Sequence, residues 1–136
     1  MKSFAHLPYA EKKQFTSSHL VFQYSTPFLS PLRHEEFWIL YLNQSNRLLE
    51  KKCLSKGGIN QTVVDVRLAL KSAIELGATA MILAHNHPSG NLIPSPQDHN
   101  IMQKFIKAAS TFDILILDHL IVSEKRYFSF KDEKLI

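Results

Sequence analysis

Apolar positions in this chain change their period several times, and each change marks an element. From Glu35 to Leu54, EEFWILYL is rich in aromatic and β-branched residues, NQSN supplies turn chemistry and RLLEKKCL returns, which predicts a two-stranded hairpin. After the loop SKGGINQ, apolar residues at Val63, Val66, Leu70, Ala73 and Ile74 recur at helical spacing. Thr62 with Asp65 resembles a capping box and Gly77 suits a C-terminal stop, so a helix of about four turns is expected here. ATAMILA is a continuous apolar run between Gly77 and the polar loop HNHPSGN, the mark of a strand buried on both faces. Helical spacing returns from Pro96 to Phe112 through Ile101, Phe105 and Ala109. Ile114 to Val122 reads as another strand, turning at SEKR into YFSF. Before Glu35, Ser17 or Ser18 is expected to cap a short helix through Phe22 and Tyr24, with Pro27 and Pro31 ending it. The order is mixed α and β.

Composition narrows the class without changing that picture. At 136 residues and 45% hydrophobic content the default is one domain, and no repeat or low-complexity tract appears. No apolar run approaches the roughly 18 residues of a membrane span, and charges interrupt MKSFAHLPYAEKKQF, unlike a signal peptide, so no membrane partner is expected. The single cysteine, Cys53, cannot form an internal disulfide and is expected to pack, which fits the cytoplasm. A net charge of +4 favours nucleic acid, but the lysines and arginines are scattered among acids instead of forming a stripe. Charge alone does not make this a nucleic-acid-binding protein.

His85, His87 and Asp98 carry the candidate chemistry. Two imidazoles one residue apart point to the same side of an extended backbone and can share one metal. Zinc accepts imidazole nitrogen and carboxylate oxygen, and two histidines with one carboxylate leave a fourth position for water. H-x-H alone is a poor signal; here the pair leaves a buried strand and enters the turn-forming Pro88-Ser89-Gly90-Asn91, which sets it at the rim of a sheet. Downstream, Ser95 at N-cap, Pro96 at N1 and Asp98 at N3 read as a helix start, which would hold the Asp98 carboxylate in place.

The spacing H-x-H, seven residues, serine, two residues, aspartate resembles the JAMM signature. The strings HNHPSG, Pro94-Ser95 and LDHLIV, with EEFWILYLNQSNRLLE and LGATAMILAHNHPSG upstream, look like the bacterial RadC group in particular. The resemblance covers residues 17–136, with 1–16 as an N-terminal extension. It implies a JAB/MPN (cytidine-deaminase-like) α/β fold, a mixed sheet flanked by helices, with zinc on His85, His87 and Asp98. It also implies an upstream glutamate that activates water, which the RadC pattern E-x-F assigns to Glu35 and not Glu36. Neighbouring side chains on a strand face opposite ways, so only one of the two can reach the metal. Glu35 shares its expected face with Phe37 and Ile39.

The function implied is hydrolysis of a peptide or isopeptide bond in a protein or peptide substrate, with Glu35 accepting the water proton and Ser95 holding the water or the oxyanion. Two rivals are a non-catalytic metal-binding interaction module and a metal-dependent nuclease. Longer RadC-like chains carry a helical, DNA-binding-like N-terminal domain, which is not expected within residues 1–16, and no residue here carries the family's DNA-repair label. The letters HNH also occur as a nuclease motif, but there they are spread through a ββα fold. His119 beside Asp118 is a candidate pair to orient a ligand, with a core histidine the plain alternative. His99 is expected to rotate away from Asp98, and His6, His19 and His34 to be solvated.

Overall fold

The computed structural model describes residues 13–57 and 64–136. Its elements are α1 (Ser18–Leu29), β1 (Glu36–Leu42), β2 (Leu48–Lys56), α2 (Val66–Leu76), β3 (Ala80–Asn86), α3 (Pro96–Ser110), β4 (Leu115–Val122) and β5 (Tyr127–Ser129). The strands form one sheet in the order β2-β1-β3-β4-β5. β1 is antiparallel to β2 and to β3, β3 is parallel to β4, and β5 returns antiparallel to β4. A parallel pair needs a crossover, and α3 supplies it.

Period-two alternation along the strands builds two cores. Phe37, Ile39 and Tyr41 of β1 with Met81 and Leu83 of β3 meet α2 and α3 through Ala69, Ala73, Met102 and Phe105. Leu40, Leu42, Ile82, Ala84, Leu120 and Val122 face the other way and meet α1 through Val21 and Leu29. β3 lies at the centre and every one of its residues is buried, as its unbroken apolar run predicts. This is the α/β fold expected, a mixed sheet flanked by helices.

Several boundaries differ from the pattern reading. Pro27 lies inside α1 and does not end it; the helix is capped at Ser17 and runs on to Leu29. A proline in the last turn removes one backbone donor, and the full burial of Leu29 beyond it works against that loss. α2 begins at Val66 with Asp65 itself as N-cap, its carboxylate accepting from the Arg67 and Leu68 amides. Thr62 and Val63 lie outside the described residues. The buried stripe of α2 is Val66, Ala69, Leu70 and Ala73, so Ile74 falls on its flank and is 54% exposed. Phe112 lies beyond the end of α3 and is also exposed. β3 continues through His85 and Asn86, so the first histidine is a strand residue and not a loop residue.

Candidate metal centre

The site forms where the carboxyl end of β3 meets the amino end of α3. Alternation turns His85 towards α3 and Asn86 towards α1. His87 keeps the strand direction because its amide donates to the Val122 carbonyl (3.0 Å). Gly90, at φ 83°, then closes the turn by donating its amide to the His87 carbonyl. α3 opens with a complete capping box: the Asp98 amide donates to Ser95 Oγ (3.1 Å) and the Ser95 amide to Asp98 Oδ2 (2.7 Å). The cap fixes the Asp98 carboxylate against the two imidazoles.

His85, His87 and Asp98 form a group able to hold a metal ion. His85 Nε2 lies 3.0 Å from His87 Nε2 and 3.3 Å from Asp98 Oδ1, and His87 Nε2 lies 3.5 Å from Asp98 Oδ2. A tetrahedral zinc with ligands at about 2.0–2.1 Å sets its ligand atoms about 3.3–3.4 Å apart, and the two imidazole nitrogens, with one or other oxygen of Asp98, lie at comparable spacing. Hydrogen bonding supplies the right donor atom at His87. A carbonyl only accepts, so His87 Nδ1, against the Asn91 carbonyl, carries the proton and Nε2 turns a lone pair inward.

Charge is arranged to match. Burial works to raise the Asp98 carboxyl, but the two imidazoles and the Ser95 amide outweigh it and hold the group far below the carboxylate range. Burial lowers His85, against the pull of Asp98. At His87 burial again acts downward, but Asp98 and the Asn91 carbonyl prevail and the value is raised. The Glu35 carboxylate adds a smaller upward pull at both imidazoles.

Glu35 stands just before β1 and lines a cleft of about 300 Å³ together with His87, Ser95 and Asp98. Glu36 faces the other way, is only 7% exposed, and accepts from Trp38 Nε1 (2.9 Å) while pairing with His34 Nε2 (2.7 Å). The two acids thus lie on different faces, with Glu35 on the side of the cleft; His34, expected to be merely solvated, has a partner. His34 is exposed but tied to Glu36. Cys53 packs beside Glu36, and burial raises its thiol.

His119 is fully buried, with Nε2 2.8 Å from His85 Nδ1 and its ring stacked on Phe130. Asp118 does not join it through the side chain: its carboxylate accepts from Ser129 Oγ and from the Lys131 and His119 amides. The expected pair is thus half present. His99 is exposed and meets Phe130, away from the cluster, and His19 is exposed on α1. His6 lies outside the described residues.

Two contributors were not read from the sequence. The Asn91 carbonyl is a backbone atom with no sequence signal. Asn86 did carry one, being a polar residue at the end of a buried strand, where its amide must find partners.

An α/β domain with a mixed sheet and a His-His-Asp cluster at the end of its central strand is a JAB/MPN fold. A family model described as RadC-like JAB domain matches residues 15–135, and the chain belongs to that family, which includes metalloproteases. It is 52% identical over 121 residues to a UPF0758 protein of Flavobacterium johnsoniae, covering 89% of this chain and 53% of the relative. A UPF0758 protein of Porphyromonas gingivalis is 43% identical over 92% of this chain and 56% of its own length. The UPF0758 protein YkfG of Escherichia coli is 39% identical over 90% of this chain and 77% of its own. The chain thus spans about half the length of the first two relatives. Among the described residues no helix is long and apolar enough to cross a membrane.

Proposed function

We propose that this domain is a zinc-dependent hydrolase that cleaves a peptide or isopeptide bond with water as the nucleophile. The observation that carries the reading is the meeting of Glu35, His87, Ser95 and Asp98 in one cleft, with His85 behind them. His85, His87 and Asp98 would hold the metal, and their donor set of two imidazoles and one carboxylate leaves a coordination position open. A zinc held by these three residues would lower the pKa of a water towards about 7 and polarise a carbonyl. Glu35 takes one proton from the attacking water and delivers it to the departing nitrogen as the carbon–nitrogen bond breaks. The Ser95 oxygen already accepts from the Asp98 amide, which leaves its hydroxyl hydrogen to donate to the developing oxyanion.

Glu35→Gln tests this, because it keeps size and hydrogen-bonding shape while removing the base. Zinc content and fold should persist while amide cleavage falls by roughly 10²- to 10⁴-fold, and Glu36→Gln should cleave as the native chain does. The substrate panel sets peptides and isopeptides beside single- and double-stranded DNA. Cleavage of DNA alone, dependent on His85 and His87, would make the domain a nuclease. Bound zinc with no cleavage of any substrate would make it a non-catalytic module.

A further inference from the structure

We propose that Asn86, between the two histidines, is a positioning residue that fixes Glu35 relative to the metal ligands on either side of it. The inference rests on the role given to Glu35 above. Asn86 is 2% exposed and its side chain leaves β3 on the face opposite His85. Both ends of its amide are used. The Glu36 amide donates to Oδ1 at 2.8 Å, and Nδ2 donates to the His34 carbonyl at 2.9 Å. Those two peptide groups flank Glu35 on its two sides.

The clamp is needed because the strand ladder stops short of Glu35. The last paired residues of β1 and β3 in this direction are Phe37 and His85. Beyond them the Asn86 side chain replaces the missing backbone pairing. From the side of β2, the Gly57 amide donates to the Glu35 carbonyl at 2.7 Å, a third restraint on the same residue. The orientation of the amide admits no exchange, since its oxygen faces a donor and its nitrogen faces an acceptor. An aspartate could accept from Glu36 but could not donate to His34. Because Asn86 is one residue from each histidine, a single stretch of β3 sets both the ligands and the acid that works beside them. In catalysis of this kind a displacement of about 1 Å in a working group can lower the rate by about 10²-fold.

Asn86→Ala and Asn86→Asp in the zinc-loaded full chain test this through amide hydrogen exchange, zinc affinity and kinetics. In Asn86→Ala the Glu36 amide should exchange faster than in the native chain, while zinc Kd stays within a few-fold. On the amide substrate kcat should fall by about 10²-fold with KM nearly unchanged. Asn86→Asp keeps the acceptor, so it should restore protection at Glu36 and part of kcat. Combined with Glu35→Gln, Asn86→Ala should cause no further fall, since its effect runs through that carboxylate. Three results would overturn the proposal: unchanged exchange at Glu36, a zinc Kd weakened as far as in His87→Ala, or an undiminished kcat loss in the Glu35→Gln background. If Glu35→Gln itself leaves cleavage intact, the role of Glu35 falls and the catalytic part of this inference with it. Exchange at Glu36 would then still decide whether the clamp exists.

Discussion

Ser95 caps α3 and has a second task only in the proposed mechanism, and the removal of one atom separates the two. Its Oγ is the acceptor for the Asp98 amide at the start of α3, so Ser95→Ala leaves that donor without its cap while the reciprocal bond from the Ser95 amide survives. The variant should lose about 0.5–2 kcal/mol of stability yet keep its zinc, as read by thermal melting and metal analysis. An unchanged melting temperature would contradict the capping role. Asp118 allows a test by pH. Burial raises its carboxyl above the ordinary value in spite of three accepted hydrogen bonds. A group raised on folding contributes stability that is fully present below its unfolded value, about 3.9, and lost as pH rises through the folded value. Asp118→Asn should therefore gain on the native chain as pH rises from 4 towards the raised value, measured by denaturant unfolding at each pH. A difference that stays constant with pH would refute it. At this scale the candidate triad was legible because its signals are local: H-x-H alternation in a strand, and a cap three residues before an aspartate. The side of β4 on which His119 lies was not. Met81 pairs with Ile116 and Ile82 with Asp118, so Leu117 is an extra residue that reverses the alternation. Without that bulge Asp118 would face α3 and His119 would turn away.

Elements were read well where their own residues punctuate them, and poorly where packing decides. Gly77 illustrates the first case: it ends α2 at φ 68°, in the left-handed region, and its amide donates back to Ala73 and Ile74 carbonyls. A Cβ there would meet no atom within 4 Å, so Gly77→Ala should cost only backbone strain, about 1–2 kcal/mol, visible as a lower midpoint in chemical denaturation. An equal or higher midpoint would show that the end of α2 relaxes freely. Pro27 illustrates the second case, because the burial of Leu29 carries α1 past a residue that breaks helices in isolation. The amphipathic spacing of α2 likewise could not say which edge of the stripe faces the sheet, and Ile74 fell outside it.

For the whole molecule, the sheet order β2-β1-β3-β4-β5 depends on pairing between distant segments, which local periodicity does not encode. The resemblance carried by HNHPSG and LDHLIV implied the fold class that the structure shows. That topology brings the end of β3, the start of β1 and the capped start of α3 to one place. Zinc content of the purified chain, measured by elemental analysis beside His87→Ala and Asp98→Ala, tests the proposed metal site most directly, with circular dichroism to show that the variants fold. The expected result is about one zinc per native chain and its loss from both folded variants. Stoichiometric zinc retained by both variants, or none taken up by the native chain from a zinc solution, would contradict the site.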